Sequence, residues 1–277
     1  MRRILMSCLL AWLPLQAMAQ ALDAGVVVGN ESALSIAIVP MPYQGSRTAP
    51  AHDVAKVIRD DLNQSGQFKS LDEAAITEKP LRGADVRFPE WKKLKQDFLV
   101  VGRIVDGADG NFSIQYEMMD VAKQQSLLSL SMPARASNVR RAAHQVADQI
   151  YEKILGVRGA FDTRIAYVTA TGIGQGIEYR LMVADSDGFN PQTLVRSREP
   201  LLSPAWSPDG DYIAVRKHFT RQRSLGAGEI WLYHVAGGKG IQLVDRNTDQ
   251  KDINEPAFSP DGRFLYYSQD TTPGPYF

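Results

Sequence analysis

The sequence predicts an α/β domain, a mixed sheet with helices, followed by an incomplete all-β propeller of about two blades. Three observations carry that prediction. Helix-like and strand-like segments alternate up to about residue 157, a phrase recurs in the second half with a period of 52 residues, and a basic, apolar, then small-residue pattern sets the first 19 residues apart. The expected boundaries are 1–19 for a signal segment, 20–157 for the α/β domain and 158–277 for the blades.

The recurring phrase is Pro204-Ala205-Trp206-Ser207-Pro208-Asp209-Gly210, repeated as Pro256-Ala257-Phe258-Ser259-Pro260-Asp261-Gly262. Each copy ends a strand on an aromatic, Trp206 or Phe258, and turns on Ser-Pro-Asp-Gly before an apolar and aromatic run resumes. Proline presets φ in such a turn, and Gly210 or Gly262 accepts the positive φ that closes it. The segments between also correspond, Tyr179 to Val195 with Glu229 to Val244, so a strand, a glycine turn and a strand recur in phase. About four strands per unit, at a period near the roughly 40 to 50 residues of propeller blades, favour a propeller over a sandwich. Radial arrays need at least about 3 units, and closure to hide their edges. Two units therefore read as the opening of a longer propeller, cut short or misassembled.

Lys plus Arg balance Asp plus Glu at 31 each, so no bulk field favours nucleic acid or an anionic membrane. Arg2-Arg3, the apolar run Ile4 to Leu15 and Ala17-Met18-Ala19 have the three parts of a signal peptide, with cleavage expected between Ala19 and Gln20. The apolar run is shorter than the roughly 18 residues of a membrane span. Cys8, the only cysteine, lies inside it, so the mature chain has no thiol for a disulfide, a nucleophile or a metal.

In the α/β domain, Leu34 to Val39 reads as a strand buried on both faces. A helix follows from Pro50 to Gly66 with Val54, Val57, Ile58 and Leu62 inward, and His52, Asp53, Asp60 and Asp61 on a solvated face. Pro89 to Gln96 is a short helix with Trp91 and Leu94 inward. Phe98 to Val105 is a second buried strand. Phe112, Ile114, Tyr116 and Met118 alternate with polar residues after a turn at Asp109-Gly110, and Leu128, Leu130 and Met132 repeat the pattern. Ser137 is the expected cap of a long helix with Val139, Ala143, Val146, Ile150 and Ile154 on one stripe, ending at Gly156.

No catalytic residue, cofactor site or metal site emerges from the pattern. Gly172-Ile173-Gly174-Gln175-Gly176 is followed by a strand where a dinucleotide loop needs a helix N-terminus. His52, His144, His218 and His234 lack the paired spacing of a metal helix. Asp185-Ser186-Asp187-Gly188 offers three oxygen donors at a hairpin, which suits a turn better than a calcium loop. Val26, Val27 and Val28 read either as a segment able to add to a partner's sheet edge or as a frayed end.

Ser35 to Pro40, Phe98 to Arg103, Val157 to Val168 and Leu181 to Gly188 together resemble the TolB family of periplasmic propeller proteins, over about residues 1–210. The resemblance implies a periplasmic scaffold and no enzyme: a link between the lipoprotein Pal and the inner-membrane Tol proteins that supports outer-membrane integrity and invagination at division. It implies a monomeric chain whose mature N-terminal segment contacts TolA, here Leu22, Asp23, Val26, Val27 and Val28, and whose propeller binds Pal, weakly where blades are missing. After about Gly210 the longer unit looks more like the propeller preceding the catalytic domain of some secreted amidohydrolases. That likeness gives the alternative reading, a hydrolase's propeller without its catalytic domain.

Overall fold

The computed structural model describes residues 33–219, 228–244 and 253–269. The expected signal, its Ala19–Gln20 cleavage point, and Leu22, Asp23 and Val26 to Val28 all lie outside the described residues.

Five strands form the sheet of the first half: β1 (Leu34–Ile38), β2 (Phe68–Ser70), β3 (Phe98–Asp106), β4 (Phe112–Asp120) and β5 (Gln125–Ala134). Their order is β2-β1-β3-β4-β5. β1 runs parallel to β2 and β3, while β3, β4 and β5 pair antiparallel, so the sheet is mixed as expected. The continuous apolar runs follow from cover on both faces. Ile36, Ile38 and Val100 pack under α1 (Val54–Gln64) and α3 (Val139–Leu155), while Ala37, Val39, Leu99 and Val101 pack with Trp91 of α2 (Phe88–Lys93). The glycine expected to end α3, Gly156, has φ 74 and donates its N–H to the Glu152 carbonyl.

Local details depart from expectation. α1 starts after Asp53, whose side chain accepts from the Lys56 N–H at 3.0 Å; a side-chain acceptor satisfies an end donor, which Pro50 cannot do. Asp53 and Asp60 are exposed as expected, Asp53 as the cap and Asp60 paired with Lys56, but His52 is half-buried and Asp61 is buried at 1% exposure. Ser137 is not the cap of α3: it sits in a 3-10 turn, Ala136–Asn138, and Asn138 holds the cap position without a side-chain bond. Leu130 is 44% exposed because β5 is the terminal strand among the described residues, and the β4–β5 register slips between Met118 and Met119.

The second half is all antiparallel β among the described residues. β6 (Arg164–Thr171), β7 (Glu178–Asp185) and β8 (Gln192–Ser197) form one sheet. β9 (Leu201–Trp206), β10 (Tyr212–His218), β11 (Gly228–His234) and β12 (Ile241–Val244) form a four-stranded one, and β13 (Ile253–Phe258) pairs with β14 (Leu265–Gln269). Leu181 and Val183 of the first sheet pack against Leu201, Ile213 and Val215 of the second, and Ala214 and Ile230 of the second share a cluster with Ile253 of the third. The sheets thus stack face to face as successive blades, and among the described residues they do not close into a ring.

Both copies of the phrase make the same turn, which opens its sheet by joining the first two strands. Ser207 N–H donates to the Tyr212 carbonyl at 2.9 Å, Gly210 N–H to the Ser207 carbonyl at 2.9 Å, and Tyr212 N–H to Ser207 Oγ at 2.9 Å. Ser259, Phe264 and Gly262 repeat the set at 2.9, 3.0 and 2.9 Å. Gly210 and Gly262 have φ 75 and 69. Hydrogen bonds from the serine hydroxyl and from a backbone N–H two residues on hold the Asp209 and Asp261 carboxyls below their usual range. The repeat extends upstream: Ser203 and Glu255, each before the proline, share a positive φ of 49 and 54 at a register slip in the strand.

Candidate interdomain site

The two halves meet where α3 faces the first sheet. Along α3, Arg140, Arg141, His144, Gln145 and Asp148 fall on neighbouring turns, a spacing of one, three and four that gathers them on one side of the helix. His144 is 2% exposed, and its Nδ1 lies 2.7 Å from Oδ2 of Asp61 on α1. Burial pushes the Asp61 carboxyl up, against the opposing pull of the His144 hydrogen bond and the Arg140 charge.

Arg140 reaches out of the α/β domain to pair with Asp187 in the β7–β8 turn, and its guanidinium stacks 4.1 Å from the Phe189 ring. Phe189 in turn meets His52, just before α1, edge to face at 5.5 Å. The hairpin turn read as a turn rather than a calcium loop is one, and its work is to seat the first blade on α1 and α3.

The connection between the halves is tied to the same helix. Asp148 accepts from the N–H groups of Phe161 and Asp162 at 2.8 and 3.1 Å, and Asp162 accepts from Arg141 at 2.9 Å and Gln145 at 2.8 Å. Ser186 Oγ donates to the Phe161 carbonyl at 2.6 Å. Next to these contacts is a cavity of about 520 Å³ lined by Arg141, His144, Asp162, Arg164, Asp185 and Trp206. Arg164 donates to the Gly210 carbonyl at 3.0 Å and lies 5.0 Å over the Trp206 ring, so the first repeat turn contributes to the seam. His144 Nε2 and Trp206 Nε1, both buried, have no hydrogen-bonding partner among the described residues.

Of the residues singled out in the sequence, Trp206 and Gly210 therefore line the seam, and Asp209 braces its turn. Phe258, Asp261 and Gly262 stand in the equivalent turn of the third sheet, away from it. Asp61, His144 and Arg140 were legible only as helix residues. Ligand-type atoms of Asp61, His144 and Asp187 gather within 4.8 Å of one another, and the carboxylates meet His144 through a hydrogen bond and Arg140 through an ion pair, an internal clasp. In place of a dinucleotide helix, Gly174–Gly176 is a 3-10 turn between β6 and β7.

Comparison with known proteins bears on both halves. A model of the TolB amino-terminal domain matches residues 23–127, and a model of the TolB beta propeller domain matches residues 151–275. The second match spans Gly210, where a change of likeness was expected, and the hydrolase alternative is not favoured. The Tol-Pal system protein TolB of Xanthomonas campestris pv. campestris and that of Xanthomonas oryzae pv. oryzae are each 54% identical over 228 residues, covering 82% of this chain and 51% of theirs. The crystal structure of TolB from Acinetobacter baumannii aligns with a TM-score of 0.67 at 30% identity, covering 86% of this chain and 55% of that one. The chain spans about half the length of the relatives it matches.

Proposed function

Because the chain belongs to the TolB family, matched in both its amino-terminal and its propeller domain, we propose that it is a periplasmic protein–protein interaction component of the Tol-Pal system. Its role is to support outer-membrane integrity and invagination during division, through binding and without turnover. The observation that carries this reading is the 54% identity to Tol-Pal system proteins TolB over 82% of the chain. No helix among the described residues is long and apolar enough to cross a membrane.

Two contacts follow from the family reading. Leu22, Asp23, Val26, Val27 and Val28 contact TolA, a role that a run of β-branched residues able to add to a partner's sheet edge would suit. Pal binds the propeller at a surface built by several blades, and the three sheets among the described residues, taken alone, are expected to bind it weakly. Arg140, Asp187 and Phe189 join α3 to the first blade, so the α/β domain and the propeller meet at one seam.

The test is titration of the purified chain with purified Pal and with the periplasmic part of TolA. Binding of TolA, lost when residues 20–32 are removed, supports the reading; binding of neither protein overturns it. Nanomolar affinity for Pal would overturn the weak-binding clause alone.

A further inference from the structure

The two copies of the repeated phrase differ at one residue, Trp206 in the first and Phe258 in the second. Their turns make the same hydrogen bonds, so the turn has no use for the indole N–H that only Trp206 carries. That N–H is buried at the seam without a partner among the described residues, an arrangement that costs stability unless something else accepts from it. His144 repeats the case in a side chain 2% exposed: Nδ1 is engaged by Asp61, and Nε2 has no partner. With the Asp61 carboxylate accepting, His144 keeps its proton on Nδ1 and leaves Nε2 as a lone-pair acceptor. Both side chains line the cavity of about 520 Å³ at the seam, which therefore offers one unmet donor and one unmet acceptor. Its charges sort the same way. Arg141 and Asp162 neutralise each other. Arg164 meets the Gly210 carbonyl and the Trp206 ring but pairs with no carboxylate among the described residues. Asp185, half-buried and directly opposite Arg164 in the β6–β7 ladder, likewise enters no ion pair among them.

We propose that the seam cavity binds a small zwitterion of the amino-acid kind, its carboxylate held by the Trp206 indole N–H and Arg164, its ammonium by His144 Nε2 and Asp185. A plain anion would bring Asp185 a like charge, and a plain cation would do the same to Arg164. A molecule with both ends meets each unpaired charge and both orphaned ring nitrogens at once. The volume falls within the range of roughly 300 to 1,000 Å³ usual for small-molecule sites, and a junction between domains is a usual place for one. The inference rests on the seam and not on the Tol-Pal role.

The experiment titrates the full chain with glycine, β-alanine and γ-aminobutyrate, whose charged ends lie progressively farther apart, and with acetate and methylammonium as single-charge controls. The readout is the indole N–H resonance of Trp206, assigned by its loss in Trp206→Phe. At least one zwitterion is expected to move that resonance saturably at millimolar concentration and to bind at least about tenfold tighter than either control. By calorimetry its affinity should fall by at least about tenfold in Trp206→Phe and in Asp185→Asn, and stay unchanged in Leu130→Glu on the α/β domain. Trp206→Phe keeps an aromatic ring that the second turn already accommodates in Phe258, and Asp185→Asn keeps the side-chain shape, so both variants should hold the parent's urea midpoint without ligand. No response to any zwitterion, equal binding of acetate or methylammonium, or an affinity indifferent to both substitutions overturns the proposal. TolA binding measured on the same samples keeps the Tol-Pal reading separate: it survives any of those failures.

Discussion

Nδ1 of His144 on α3 lies 2.7 Å from Oδ2 of Asp61 on α1, a bond between residues 83 positions apart, both all but sealed from solvent. It locks the two long helices together directly beneath the first blade. A buried pair is costly to break from one side, because the remaining group keeps its desolvation penalty without its partner.

Replacing His144 by Ala strands the Asp61 carboxylate. The expected loss is about 3 to 5 kcal/mol of unfolding free energy, read from urea denaturation. Replacing both members, Asp61→Leu with His144→Leu, should cost less than His144→Ala alone, because no unpaired charge remains.

The same carboxyl gives a pH dependence with a definite sign. Burial raises its folded value, so the folded protein holds that proton more tightly than the unfolded chain. Stability from this group is full below the unfolded value near about 4 and is lost as pH rises through the raised folded value. Acidification from neutral toward about pH 4 should therefore stabilise the parent relative to Asp61→Asn. Paired urea titrations of the two proteins across that range measure it, and a constant difference would contradict it.

Arg140 and Asp187 join the halves, so their substitutions should be non-additive. In a double-mutant cycle of Arg140→Ala and Asp187→Ala, a coupling of about 0.5 to 3 kcal/mol is expected. Limited proteolysis between residues 156 and 163 should accelerate in either single variant, and more in Arg140→Ala, which also loses the stack on Phe189.

The repeat turns are satisfied locally, so their serines should carry similar weight. Ser207→Ala or Ser259→Ala removes the acceptor for the Tyr212 or Phe264 N–H. Each should cost about 1 kcal/mol in thermal or urea unfolding. Gly210→Ala should cost about as much again, because φ 75 strains any residue with a Cβ.

The sequence by itself determined whatever depends on neighbours along the chain. The apolar runs of β1 and β3, the alternation of Phe112, Ile114, Tyr116 and Met118, and the helix ending at Gly156 all follow from side-chain period and turn chemistry, which a single segment displays. So do the two Ser-Pro-Asp-Gly turns, whose hydrogen bonds close within six residues. Only the tertiary structure decided what depends on which face meets which. Asp61 sits on the same helix as solvated Asp60, yet a rotation of one residue carries it under α3 and onto His144. Asp187 became a clasp for Arg140 because the first blade docks there, and Leu130 stayed exposed because no described strand lies beyond β5. Those outcomes arise from contacts between distant residues whose energies come from burial and pairing, and no local pattern encodes a partner 47 or 83 positions away.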